Sequence, residues 1–189
     1  PDVSDMYYDD FCTFVDMDII TKNLCGKSRP THFRGVCTVV LKLFNIVKPD
    51  RAYFGQKDAQ QLAVIKRMVR DFNIDIEIVG CPIVREADGL AKSSRNTYLN
   101  PDERKAALVL SRSLKKGMDV IKTGETNSKK IIAAITEVIN TEPLAKIDYV
   151  SVVDAVTMQD VEAIKNDVLV AIAVKIGKTR LIDNFSFSV

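Results

Sequence analysis

The sequence predicts an α/β protein, and three stretches of it carry that prediction. An apolar strand from Ala52 to Phe54 ends at Gly55, passes through a polar turn and leads into an amphipathic helix over residues 58–72. Residues 75–80 then alternate apolar and polar side chains, as a second strand does. Two amphipathic helices between Asn100 and Ile139 precede three further strand-like runs. This order of elements indicates a βαβ unit followed by a separate α+β unit.

The two strands on either side of the 58–72 helix form the βαβ unit. Such a crossover joins parallel strands with a right-handed connection, so the loops after Phe54 and after Gly80 are expected side by side at one sheet edge. Ligands bind at that edge of open parallel sheets, where helix N-termini present free N–H groups. The change of pattern near Val84 predicts one domain over residues 1–83 and a second over residues 84–189.

The other elements follow from periodicity and from start and stop signals. Asn100 before Pro101, with acids in the first turn, predicts a helix that runs to about Lys122 and closes at Gly124. The remaining predicted elements are a short strand over Phe11–Val15, helices over Val36–Val47 and Ser128–Ile139, and strands over Ile147–Val153, Val168–Ile176 and Leu181–Phe187.

Composition argues against several classes of protein. The 189 residues carry 27 basic and 25 acidic side chains, a net charge of +2, so nucleic acid is not an expected partner. No apolar run reaches the roughly 20 residues of a membrane helix, and no signal peptide opens the chain, so no membrane is expected either. The four cysteines have no C-x-x-C spacing, which favours a reducing compartment. We expect a cytoplasmic protein.

Both loops at the predicted sheet edge carry groups that suit a nucleoside triphosphate. Lys57 offers a cation for phosphate, and Asp58 offers a carboxylate for ribose hydroxyls. The loop that begins at Cys81 is long enough to need a functional reason. Two cations and two hydroxyls that can hold phosphate oxygens follow one another in it, at Lys92, Ser93, Ser94 and Arg95.

A purely structural interpretation of these residues stays open. Ser93, Ser94 and Arg95 would then form a helix-capping turn, and Lys57 would be solvated. Asp58 with Gln61 would form a variant capping box for the following helix. A further polar loop over residues 26–35 carries Arg29 and the single histidine, His32. It is a second candidate site loop, with a solvated basic connection as its alternative.

Three sequence blocks resemble the pantothenate synthetase family, also called pantoate–β-alanine ligases. In chain order they are residues 29–36 (RPTHFRGV), 54–62 (FGQKDAQQL) and 85–96 (READGLAKSSRN). They occur in the family's order and spacing, and a looser match continues to the C-terminus. The resemblance implies a partial Rossmann-like nucleotidyltransferase domain of the HIGH type, followed by a small α+β lid domain.

The resemblance also implies a reaction. The carboxylate of pantoate attacks the α-phosphorus of Mg–ATP and gives pantoyl adenylate and pyrophosphate. The amine of β-alanine then attacks the acyl carbon and gives pantothenate, a precursor of coenzyme A, and AMP. The implied cofactors are ATP as co-substrate and Mg²⁺, with no metal-ligating residue assigned, and the implied assembly is a homodimer.

The resemblance assigns the nucleotide-binding residues one by one. The family's ATP-binding turn, with its lysine on phosphate and its aspartate on ribose, is matched by Gly55, Gln56, Lys57 and Asp58. A backbone contact to adenine is matched by Val84. The phosphate-gripping loop, which has Met in place of Lys92 in many relatives, is matched by Lys92, Ser93, Ser94 and Arg95. Phosphate binding and transition-state stabilisation therefore fall to Lys57, Ser93, Ser94 and Arg95.

The substrate-binding residues are carried over in the same way. Gln61 matches the family's pantoate-binding glutamine, and His32 and Arg29 match residues near the acyl end of the site. The family's two-histidine segment and a second glutamine segment have no counterpart, so we expect a C-terminal portion of the enzyme that is inactive alone. The open alternatives are another adenylate-forming transferase of the same superfamily and a non-catalytic fragment that binds nucleotide or dimerises.

Overall fold

A computed structural model describes residues 2–189, and contacts between Cα atoms divide them into two units. The first unit comprises the residues up to Phe54 together with Gln60–Gly80. The second unit comprises Gly55–Ala59 together with Cys81–Val189. The short turn at 55–59 therefore belongs to the second unit, although in the chain it lies between two segments of the first.

The predicted βαβ unit is present in the first part of the chain. Strand β1 (Arg51–Gly55) and strand β2 (Glu77–Cys81) are hydrogen-bonded neighbours. Helix α4 (Ala59–Asp71) connects them, and its buried side chains include Leu62, Ile65 and Met68. Leu62 and Ile65 of the apolar face that predicted this helix are buried, whereas Phe72 follows the helix and is exposed.

Three helices precede this unit, and two predictions made from the sequence for this region are wrong. They are α1 (Val3–Met6), α2 (Leu24–Ser28) and α3 (His32–Val47). Helix α3 begins at His32 and not at Val36, because Gly35 lies inside its first turn and does not mark its start. The polar segment predicted as a loop over residues 26–35 is therefore mostly helical, with only residues 29–31 between α2 and α3.

The predicted strand over Phe11–Val15 is wrong, because these residues form no regular element. Their aromatic side chains bind cations of α3 instead. The Arg34 guanidinium lies 4.2 Å from the Phe14 ring centroid, and the Lys42 ammonium lies 4.9 Å from that of Phe11. Such contacts contribute about 0.5–1 kcal/mol each at exposed sites. These cation–π contacts hold residues 11–15 against α3, although the residues do not pair with a neighbouring strand.

An antiparallel sheet forms the centre of the second unit. Its strands are β3 (Ala145–Asp154), β4 (Val168–Ile176) and β5 (Thr179–Phe187), in the spatial order β3-β4-β5. Helix α6 (Leu108–Lys122) and helix α7 (Ser128–Asn140) contribute to the core with it. The predicted α+β segment is confirmed, and β5 is an edge strand.

The helix predicted from Pro101 to Lys122 is broken into two. Helix α5 (Pro101–Ala106) and helix α6 are separated by a single residue, Ala107, which is fully buried. The N–H of Leu110 donates to the carbonyl of Ala107 at 3.2 Å, so the junction has a tighter turn than an α-helix. The predicted start is confirmed, because the Asn100 side chain caps Asp102 and Glu103.

Gln60 is a buried polar side chain of the first unit, with 5% of its surface exposed. Its Nε2 donates to the carbonyls of Ile20 and Asn23 at 3.0 and 2.8 Å, and its Oε1 accepts from the N–H of Cys25 at 3.0 Å. One amide therefore pairs three backbone groups within residues 20–25, at the start of α2.

We expect Gln60→Ala to lower the free energy of unfolding by about 2–4 kcal/mol, because it leaves three backbone groups without their partner. Urea denaturation of this variant and of the wild type measures the loss. Gln61→Ala, at the next position of the same helix, is the matched control and should cost less than about 1 kcal/mol. Equal losses in the two variants would contradict the role given to Gln60.

Cys37 is fully buried in α3. Burial raises the pKa of its thiol to about 11, and the negative charge of Asp16 adds to this shift. Cys12 is exposed.

We expect iodoacetamide at pH 8.5 to label Cys12 in the folded protein and to leave Cys37 unmodified, because Cys37 is buried and its thiol stays protonated. Peptide mass spectrometry locates the label, and the same reaction in denaturant is the control in which both thiols react. Labelling of Cys37 at the rate of Cys12 in the folded protein would show that α3 opens readily.

Candidate functional site

The turn after β1 carries the first group of predicted site residues. Gln56, Lys57 and Asp58 form a single 3-10 turn, and α4 begins only at Ala59. Asp58 is therefore the last residue of that turn and not the predicted N-cap of α4. Gly55 has an ordinary extended conformation, with φ −68° and ψ 132°. Its backbone angles do not require glycine.

The long loop after β2 is an ordered hairpin that we call the 84–92 hairpin. The N–H of Lys92 donates to the carbonyl of Val84 at 2.9 Å, and the N–H of Glu86 donates to the carbonyl of Leu90 at 2.8 Å. Gly89 lies at its tip with φ +94°, a backbone conformation that favours glycine. The hairpin places Val84, the predicted adenine contact, directly across from Lys92. The carbonyl of Val84 accepts this hydrogen bond, so the hairpin fixes the backbone of the predicted contact residue.

Residues 93–98, which we call the serine loop, follow the hairpin and include the second 3-10 turn, Ser94–Tyr98. The Oγ of Ser93 accepts a hydrogen bond from the N–H of Arg95 at 3.2 Å, so the capping interpretation is correct for this side chain. Lys92, Ser94 and Arg95 are exposed. The loop is thus held in shape by Ser93 and presents two cations and one hydroxyl to solvent.

Arg85 fixes the hairpin to the edge strand of the second unit. Its Nη1 and Nη2 donate to the two carboxylate oxygens of Asp183 at 2.6 and 3.0 Å. Nη1 also donates to the carbonyl of Gly89 at 3.1 Å. Asp183 is only 2% exposed. A bidentate pair of this kind has both strength and a fixed orientation.

Asn184, the next residue of β5, binds the 3-10 turn Gln56–Asp58 of the same unit, which we call the Lys57 turn. Its Nδ2 donates to the carbonyls of Gln56 and Lys57 at 3.1 and 2.8 Å. Consecutive residues of one strand therefore hold both candidate nucleotide-binding segments. Sequence reasoning missed Asp183 and Asn184. The available signal was two adjacent polar residues in a predicted strand that is otherwise mostly apolar.

The predicted substrate-binding residues lie in the first unit. Gln61 is the third residue of α4 and His32 is the first residue of α3, and both are half-buried. Arg29 is exposed and follows the end of α2. The nine nucleotide-binding candidates, by contrast, all lie in the second unit. They are Gly55, Gln56, Lys57, Asp58, Val84, Lys92, Ser93, Ser94 and Arg95.

A cavity of about 450 Å³ adjoins the 84–92 hairpin, with Arg85, Gly89 and Asn184 among its lining residues. The predicted nucleotide-binding residues do not line it. Within residues 2–189, no three His, Cys, Asp or Glu side chains converge as metal ligands. No helix in this part of the chain is both long and apolar enough to span a bilayer.

Comparison with known proteins identifies the family. The model of the pantoate–β-alanine ligase family matches residues 1–186. Pantothenate synthetases of Ruminiclostridium cellulolyticum and Enterococcus faecalis are 62% and 64% identical to the chain over 187 residues. Each alignment covers 99% of the chain and 66% of the relative, so the chain spans just under two thirds of the length of these relatives.

Solved structures agree with the sequence comparison. The crystal structure of pantothenate synthetase from Thermus thermophilus superposes with a TM-score of 0.93 at 42% identity, covering 98% of the chain and 67% of that protein. A Francisella tularensis pantoate–β-alanine ligase, complexed with "Beta-gamma ATP" and β-alanine, gives a TM-score of 0.73 at 36% identity. That match covers 96% of the chain and 61% of the Francisella protein. The chain belongs to the pantoate–β-alanine ligase family.

Proposed function

We propose that the nine nucleotide-binding candidates of the second unit form the nucleotide-binding part of a pantothenate synthetase. Such an enzyme condenses pantoate with β-alanine at the expense of ATP. The observation that carries the proposal is the attachment of both nucleotide-binding segments to Asp183 and Asn184 of β5. Two separate groups of cations are thereby held in the second unit by neighbouring residues of one strand. Preorganised donors of this kind are what phosphoryl chemistry requires of a protein.

In the proposed first step, a carboxylate oxygen of pantoate forms a bond to the α-phosphorus of ATP as the bond to pyrophosphate breaks. Lys57, Ser93, Ser94 and Arg95 stabilise the charge that develops on the phosphate oxygens. In the second step the amine of β-alanine forms the amide bond, loses a proton and displaces AMP. The product is pantothenate.

The contacts of Lys92 in the structure are compatible with phosphate binding. Its ammonium lies 3.8 Å from the carboxylate of Glu86, and both side chains are largely exposed. An exposed pair at this distance contributes about 0–1 kcal/mol. A polyphosphate can therefore displace Glu86 from Lys92 at little cost.

The remaining assignments of the nucleotide and substrate sites follow the family. Gly55, Gln56 and Asp58 bind ATP, with the Asp58 carboxylate on the ribose, and Val84 contacts adenine through its backbone. Gln61 binds pantoate, and His32 and Arg29 lie toward the acyl end. The domain roles follow as well: residues 1–83 belong to the nucleotide-binding domain and residues 84–189 form the lid domain.

Mg²⁺ enters this proposal as part of the Mg–ATP substrate. No built cation site of three acidic, histidine or cysteine side chains exists among residues 2–189. Mg²⁺ prefers oxygen ligands and keeps several waters, so the phosphate oxygens of ATP suffice to hold it. The ion neutralises phosphate charge when it is bound.

Two further assignments concern the setting of the protein. We place it in the cytoplasm, and its four free cysteines support a reducing compartment. We also propose a homodimer. Exposed apolar side chains of the first unit, Ile46, Val47 and Tyr53, offer a surface that an interface would cover.

We expect Lys57→Ala and Ser94→Ala each to slow adenylate formation by about a hundredfold or more, since one phosphate-directed donor contributes about 3 kcal/mol. Pyrophosphate release with ATP and pantoate alone, measured in the catalytically active protein, isolates this step. Lys66→Ala and Ser186→Ala, which remove exposed side chains of the same types, are the controls and should leave the rate unchanged.

Rates of the Lys57 and Ser94 variants within a factor of about two of the wild type would contradict these roles. Calorimetric titration with ATP separates the alternatives. ATP binding without pyrophosphate release would support a nucleotide-binding protein without turnover.

We expect Gln61→Ala to raise the apparent KM for pantoate at least about tenfold and to leave that for ATP nearly unchanged. The Gln61 amide can both donate and accept, as a substrate with a carboxylate and hydroxyls requires. Steady-state kinetics with each substrate varied in turn measures the two constants. An equal rise in both would contradict pantoate binding, and no response to pantoate would favour another adenylate-forming enzyme.

A further inference from the structure

Asp183 and Asn184 point to opposite faces of the edge strand β5. Successive side chains of a strand alternate between the faces of its sheet. Asp183 pairs with Ile172 of β4, and it shares the face on which Leu181 and Phe185 contact the hydrophobic core. Asn184 pairs with Ala171 and occupies the other face. The two residues therefore reach two different loops from adjacent positions.

On the core face, the carboxylate of Asp183 has all of its partners within the second unit. It accepts both hydrogen bonds of the Arg85 fork, and its Oδ1 also accepts from the N–H of Asn184 at 2.9 Å. Because Arg85 also donates to the carbonyl of Gly89, the same arginine ties the first arm and the tip of the 84–92 hairpin to Asp183. Lys92 ends this hairpin and is followed directly by the serine loop.

On the other face, the amide of Asn184 is fully used as a donor. Its two N–H groups pair with two consecutive carbonyls, those of Gln56 and Lys57. Neighbouring carbonyls accept from one amide only when the turn brings them to the same side. The Asn184 side chain thus selects the 3-10 conformation that determines where the Lys57 side chain starts.

The stability of the sheet alone does not explain polar residues at these positions. Replacing a buried ion pair by apolar side chains of similar volume is often neutral or stabilising. Apolar residues at 183 and 184 would keep the strand, but they would release the hairpin and the turn. What the two polar residues provide beyond burial is a fixed position for each loop.

We propose that Asp183 and Asn184 are positioning residues, which hold the Lys57 turn and the 84–92 hairpin on opposite faces of β5 so that both groups of donors meet one polyphosphate. This inference rests on the proposed ATP site. In that site, neither the Asp183 nor the Asn184 side chain contacts the nucleotide. Each acts through the backbone or the arginine that it binds.

The test combines local amide exchange with ATP binding in the full chain. In Asn184→Ala, we expect hydrogen exchange of amides in residues 56–61 to accelerate at least about tenfold, with residues 86–92 unchanged. In Asp183→Asn and in Arg85→Lys, we expect the reverse pattern. Arg85→Lys keeps a cation beside the buried carboxylate while it removes the fork, so it remains informative if Asp183→Asn fails to fold.

Asp148→Asn is the matched control, because it breaks another Asp–Arg pair of the same sheet, that with Arg180 at 2.7 Å. It should accelerate exchange in neither loop and should leave ATP affinity unchanged. We expect Asn184→Ala and Arg85→Lys each to weaken ATP binding about tenfold in calorimetric titration, because each frees one group of phosphate donors.

The exchange pattern and the ATP affinity together decide the inference. Uniform acceleration along the chain, or no acceleration in either loop, would show that Asp183 and Asn184 serve general stability and would overturn the proposal. Loop-specific exchange with unchanged ATP affinity would overturn it as well. A wild-type chain that binds no ATP would refute the proposed function instead, and the loop-specific pattern would still show which residues hold the two loops.

Discussion

The ion pair between Arg85 and Asp183 is the interaction on which the position of the 84–92 hairpin depends. Asp183 is almost completely buried, so its charge is tolerated only because the arginine fork and the N–H of Asn184 satisfy both oxygens. Removing Arg85 would leave the buried carboxylate uncompensated, which costs more than breaking an exposed ion pair. The hairpin that carries Arg85 is therefore tied to β5 far more firmly than its exposed surface suggests.

The two units use the same physical device at different places. In the first unit, the buried amide of Gln60 binds three backbone groups within residues 20–25, at the start of α2. In the second unit, the buried amide of Asn184 binds two carbonyls of the Lys57 turn. A side-chain amide suits this task because it offers two donors and an acceptor, and because burial strengthens hydrogen bonds that are geometrically satisfied. In each case one side chain holds a backbone segment that is distant from it in sequence.

Local sequence signals predicted local structure well. The Asn100 cap, the periodicity of α4 and α7, and the span of β4 depend on neighbours in the chain, and the structure confirms them. The predictions failed where a neighbour distant in sequence decides. The aromatic segment around Phe11 and Phe14 has strand propensity but no strand partner, and it packs on cations of α3 instead. Burial of Ala107 accompanies a break in a helix that the pattern made continuous.

By itself, the sequence determined the family, the βαβ unit and the residue types that suit a polyphosphate, because motif spacing and hydrophobic periodicity are properties of short stretches. Only the tertiary structure decided how those stretches are held. Arg85 and Asp183 are 98 residues apart, and Asn184 is 127 residues from Lys57. The sequence does not reveal these pairings, since each partner alone is an ordinary polar residue. Folding makes them specific, because a buried carboxylate or amide must find its partners within the protein once water is excluded.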